Sequence, residues 1–130
     1  MILLDTHIWV WWVADDPALT AHRRARLQAH EPTGLGVSVI SCWEVAMLVA
    51  GHRLALPMPI DDWVRTALAY PGVQLLSLSP EIAIESTRLP DPFHKDPADR
   101  MLVATARLLD IEIVTEDRKI LAYPHVRCLP

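Results

Sequence analysis

Ile2-Leu3-Leu4-Asp5-Thr6 is a short aliphatic run that stops on a carboxylate, and its reading decides the fold. Consecutive apolar residues without alternation describe a strand buried on both faces, as in a parallel sheet. The residues that follow, Ile8, Trp9, Trp11, Trp12 and Val13, predict a short helix stopped near Asp16-Pro17.

The same grammar recurs along the chain. Thr20 is a cap for a helix to about His30, and Pro32-Thr33-Gly34 breaks it. Leu35-Gly-Val-Ser-Val-Ile40 reads as a second buried strand, and Ser41-Cys-Trp-Glu44 as a capping box opening a helix to about Ala50. A helix over about 61–70, a strand over Val73–Leu78, and a helix from Ser79-Pro80 to about Leu89 follow. Leu89 to Lys95 is irregular, Asp96-Pro97 opens a helix to Leu109, and Ile111–Thr115 is a fourth strand. Glu116 to about Ala122 is a short helix, and Val126–Leu129 a possible edge strand. Strands alternating with helices predict βαβ units with right-handed crossovers, an α/β domain around a central parallel sheet. At 130 residues the chain is expected to form a single domain, residues 1–130.

With 52% hydrophobic and 22% charged residues the composition is that of a globular protein. The opening lacks a basic segment ahead of an apolar core, and no apolar run approaches a membrane span, so the expected location is the cytoplasm, with no membrane partner. Cys42 and Cys128 are too few and too isolated for a disulfide framework or a zinc site. A net charge of −4 argues against a broad basic surface for nucleic acid. Setting Asp5, Glu44, Asp96, Asp99 and Asp117 aside from the 16 acidic residues leaves 11 against 12 basic ones, so the acidity is concentrated.

In open α/β sheets ligands bind beyond the carboxyl ends of the strands, where Asp5 and Asp117 fall. Glu44 and Asp99 lie in the first turns of helices that can start on that edge. Each has a local structural explanation, Glu44 as the return arm of the Ser41 capping box and Asp99 at the positive end of its helix with Asp96 as cap. Together they do not: two carboxylates about 4 Å apart repel by roughly 4 kcal/mol at an effective dielectric near 20, against about 0.3–1 kcal/mol returned by a helix terminus. Hard carboxylate oxygens suit Mg²⁺, or Mn²⁺, and a magnesium shell completed by phosphate points to phosphodiester chemistry. No GxxxxGK[ST] loop supports nucleotide-triphosphate hydrolysis.

The ordered set Leu3-Leu-Asp-Thr-His7, Val39-Ile-Ser-Cys-Trp-Glu-Val-Ala46, Gly51-His-Arg-Leu-Ala-Leu-Pro57, His94-Lys-Asp-Pro-Ala-Asp-Arg-Met-Leu-Val-Ala-Thr-Ala106 and Val114-Thr-Glu-Asp117 resembles the PIN-domain ribonucleases, specifically VapC-type toxins of type II toxin–antitoxin pairs. The resemblance implies a three-layer α/β/α fold and a metal-dependent endoribonuclease whose metal ligands and catalytic acids are Asp5, Glu44, Asp99 and Asp117. It implies supporting roles for Thr6 and Thr115, and a place beside the metal for Asp96, whose helix cap explains it equally well. It further implies an RNA substrate, a VapB-type antitoxin over the active-site groove, and a homodimer. The chain departs from the family pattern at Ala98 and at Met47-Leu48-Val49.

Two other readings compete. A phosphoacceptor receiver domain expects an acidic pair after the first strand, where only Asp5 stands, and a Lys after the last, where Lys119 is poorly placed. A catalytically silent binding module is less favoured because all four acids are present. Trp9, Trp11 and Trp12 cannot all face one core, so an exposed one would suit a partner. The basic side of the second helix, His22, Arg23, Arg24, Arg26 and His30, is a solvated face or a guide for RNA phosphates. His7 and His94 flank the acidic motifs and read as polar rim residues.

Overall fold

A computed structural model describes all 130 residues. Its elements are β1 (Ile2–Leu4), α1 (Thr6–Ala14), α2 (Ala21–His30), β2 (Leu35–Ser38), α3 (Val39–Ala50), α4 (Ile60–Leu68), β3 (Val73–Leu76), α5 (Pro80–Ser86), α6 (Pro97–Leu109), β4 (Glu112–Val114) and α7 (Arg118–Leu121). The sheet is wholly parallel, in the order β3-β2-β1-β4, with Ile2 opposite both Leu35 and Glu112.

Alternation along β1 divides the core. Ile2 and Leu4 face a cluster with Trp9, Leu27, Val45 and Trp63 from α1 to α4; Leu3 faces Ile82, Leu102, Val103 and Ile120 from α5, α6 and α7. Helices thus cover both faces, the three-layer α/β/α arrangement expected of buried parallel strands. Trp9 is fully buried, its ring 4.9 Å from that of Trp63, whereas Trp11 and Trp12 are half-buried. No helix is long and apolar enough to cross a membrane.

Several boundaries differ from the sequence reading: β3 stops at Leu76 and not Leu78, α5 at Ser86 and not near Leu89, and α7 begins at Arg118 and not Glu116. The second strand ends at Ser38, not Ile40, and the Ser38 hydroxyl caps α3 by accepting from the Ile40 amide at 3.1 Å. Val39 and Ile40 favour a strand intrinsically, but as the first residues of α3 they let Ile40 reach the second core. Ser41 is therefore inside the helix and is not its cap. The expected edge strand is a single parallel bridge of Cys128 to Ile113, with backbone bonds on both sides of Ile113.

Because β2 and β3 extend from one side of β1 and β4 joins the other, the connection direction reverses between β1 and β4. A crevice at the strand carboxyl ends forms at such a switch point. Asp5 immediately follows β1, and Thr115 follows β4.

Candidate metal centre

Asp5 is the keystone of this crevice. As N-cap of α1 it accepts from the Thr6 amide at 2.7 Å through Oδ1, and Oδ2 accepts from the Thr115 hydroxyl at 2.6 Å. Thr115 Oγ1 in turn accepts from the Asp117 amide at 2.9 Å, so one buried hydroxyl ties the ends of β1 and β4 together. Asp117 caps α7, with Oδ1 accepting from the amides of Lys119 and Ile120.

On the other flank, the Thr6 hydroxyl donates to Glu44 Oε1 at 2.5 Å and lies 2.9 Å from Ser41 Oγ. Glu44 thus serves no capping box; packing of α1 on α3 turns it toward Asp5. Asp96 does cap α6, accepting from the Asp99 amide at 3.0 Å. Asp99, three residues on, directs its carboxylate to His94, whose Nε2 is 3.0 Å from Asp99 Oδ2 yet lies off any hydrogen-bond direction and has no partner.

These groups line one cleft of about 380 Å³ formed by Asp5, His7, Trp11, Glu44, Asp96, Asp99, Glu116 and Asp117. All five acids singled out in the sequence are brought together. Burial raises the carboxyl pKa of Asp5, opposed by its Thr115 and Thr6 bonds, and raises that of Glu44. Asp99 is pushed up to about 7 by burial and then by the charges of Asp5, Asp96, Asp117 and Glu44. The cleft therefore resists holding all its negative charge unaided.

The donor set fits a hard divalent cation. Single ligand atoms of His94, Asp99 and Asp117 lie within 4.8 Å of one another, with Asp5 and Glu44 on the same cleft. His94 enters as a candidate donor that the sequence reading placed on the rim. Arg100 positions it: Nε donates to the Ser86 carbonyl at 2.7 Å and Nη1 to those of Phe93 and His94 at 3.3 and 3.2 Å. His94 has no periodic signal in the sequence, because 89–95 follows no helix or strand pattern, and the periodicity of α6 does not single out Arg100. Glu116 also reaches the cleft and pairs with Arg23, while Arg24 pairs with Asp15. Two of the five basic residues of α2 are thus ion-paired within the chain.

Fold and site together define an α/β protein with an acidic, metal-competent cleft at the topological switch point of its sheet. Residues 2–126 match the PIN domain family, and the chain belongs to it. It is 34% identical to Ribonuclease VapC22 of Mycobacterium tuberculosis over 127 residues, covering 97% of this chain and 94% of that one. Its fold is similar to that in VapBC2 from Rickettsia felis bound to a DNA fragment from their promoter, with TM-score 0.71, 16% identity, and coverage of 99% and 98% of the two chains. A toxin–antitoxin complex from Klebsiella pneumoniae gives TM-score 0.66 at 23% identity, covering 97% and 95%.

Proposed function

We propose that this chain, acting as one PIN domain over residues 1–130, is a divalent-metal-dependent endoribonuclease and the toxin of a VapBC-type pair, with Mg²⁺ as the metal. The observation that carries the reading is the convergence of Asp5, Glu44, Asp99 and Asp117 on one cleft in a chain 34% identical to a ribonuclease. A toxin–antitoxin setting is supported by the similar folds in such complexes, and the partner would be a VapB-type antitoxin with the toxin as a homodimer.

Asp5, Glu44, Asp99 and Asp117 would hold the metal, with Asp96 and His94 at its margin. Bound there, the metal would lower the pKa of a water and neutralise charge on the phosphodiester. The chain's own task is preorganisation. Thr115 and Thr6 fix the oxygens of Asp5 and Glu44 by hydrogen bonds, so neither carboxylate must reorient on binding. Asp96 holds Asp99 through its amide, and Trp11 with His7 walls the cleft.

The test is cleavage of total RNA by purified, antitoxin-free protein with Mg²⁺, with EDTA, and as Asp5→Asn. Discrete fragments absent from both controls are expected. Fragments that persist in EDTA would sink the metal mechanism, and no cleavage with any divalent metal would favour a catalytically silent binding module.

A further inference from the structure

Beside the acidic cleft is a second recess, broad and apolar, of about 730 Å³, walled by Pro92, Phe93, His94, Lys119, Ala122 and Tyr123. His94 links the recess to the cleft: its Nε2 is 3.0 Å from Asp99, and its ring meets Phe93 edge-on at 4.6 Å. Phe93 and Tyr123 lie with ring centres 4.4 Å apart. The Tyr123 hydroxyl donates to the Pro90 carbonyl at 2.6 Å, and Arg100 holds the Phe93 carbonyl, so the aromatic wall is fixed before any ligand arrives. Lys119 is exposed, forms no ion pair, and is tied to the cleft by its backbone amide, which donates to Asp117 Oδ1 at 2.8 Å.

We propose that this recess seats one unpaired base of a single-stranded RNA substrate against Phe93, while Lys119 holds the adjoining phosphate, placing the scissile phosphodiester over the acids. The inference rests on the ribonuclease reading and adds where on the surface a base of the substrate and its phosphate are anchored. Aromatic faces bind unstacked bases of any sequence, and a cation at the rim supplies what each phosphate requires. A rigid wall also lowers the ordering cost of binding. A free cation beside an apolar shelf, next to a cleft suited to metal and phosphate, matches a nucleotide better than an apolar peptide.

The experiment measures binding of a fluorescent mixed-sequence RNA dodecamer, and of an abasic strand of equal length, to metal-free protein in EDTA. Wild-type protein should prefer the base-bearing strand by about 5- to 150-fold, the worth of one stacked base. Phe93→Leu and Ala122→Leu should bring that ratio toward unity. Lys119→Ala should weaken both strands and flatten the salt dependence. Ala122 is exposed, so its variant keeps the test valid should Phe93→Leu lower stability.

No preference in the wild type, no binding of either strand, or a ratio unchanged by both Leu variants would overturn the proposal. So would variants that weaken the antitoxin complex while leaving the ratio intact, which would give the recess to the antitoxin. Failure of the nuclease reading appears separately, as absence of metal-dependent cleavage, because this binding assay contains no metal.

Discussion

Replacing Asp99 by Asn should make the metal-free protein more stable while abolishing its cleavage activity. An ordinary aspartate titrates near 3.8, and Asp99 in the fold near 7, so the native state binds the extra proton between those values. The unfolded chain is ionised there, and stability therefore falls as pH rises from about 4 to about 7. The gap corresponds to about 4 kcal/mol at most. The Asp99 side chain is 15% exposed and its neighbours relax, so about half that value is the reasonable expectation.

Asn removes the charge and keeps the shape. In EDTA at pH 8, Asp99→Asn should gain about 2 kcal/mol over wild type, a rise in Tm on the order of 5–10 °C. At pH 3.5, where Asp99 is protonated in the folded protein and largely so in the unfolded chain, the two proteins should unfold nearly together. At pH 8, added Mg²⁺ should raise the wild-type Tm more than the variant's. Thermal unfolding at the two pH values, with urea titration for the free energies, provides the check. A variant less stable than wild type at pH 8, or a difference of equal size at pH 3.5, would refute the account of the cleft as an electrostatically loaded site.

Thr115→Val keeps the volume but removes the hydroxyl that joins Asp5 to Asp117, leaving a buried carboxylate short of a donor. Urea unfolding at pH 8 should show a loss of about 1–3 kcal/mol. Arg100→Lys removes a fork reaching the carbonyls of Ser86, Phe93 and His94, so amides in 89–95 should exchange faster while those of β1 stay protected. Gly72 has φ +78°, and a Cβ there would meet the Glu31 carbonyl oxygen at 2.7 Å; Gly72→Ala should lower stability by at least about 1 kcal/mol by thermal unfolding.

Much of this protein is legible in one dimension. Unalternating apolar runs ending at Asp5 and Thr115 mark parallel strands, and Asp96-Pro97 marks the start of α6, because these signals are local: burial pattern, cap chemistry and the missing proline amide. Strand ends and helix starts then singled out four acids, to which the family resemblance gave the role of metal ligands, and all four line the cleft. Local signals failed where two local answers compete. Ser38 and Ser41 are both sound caps, and only packing of Ile40 into the second core selects Ser38. That choice moves Glu44 from a capping partner to the Thr6 hydroxyl. His94, Arg100 and Glu116 reach the site from a patternless loop, a helix interior and a turn, and their approach depends on contacts between segments far apart in the chain. The sequence by itself determined the strand order's raw material and the identity of the acids. The tertiary structure alone decided that their charges share one cleft, because repulsion and burial depend on distance in space, which spacing along the chain does not set.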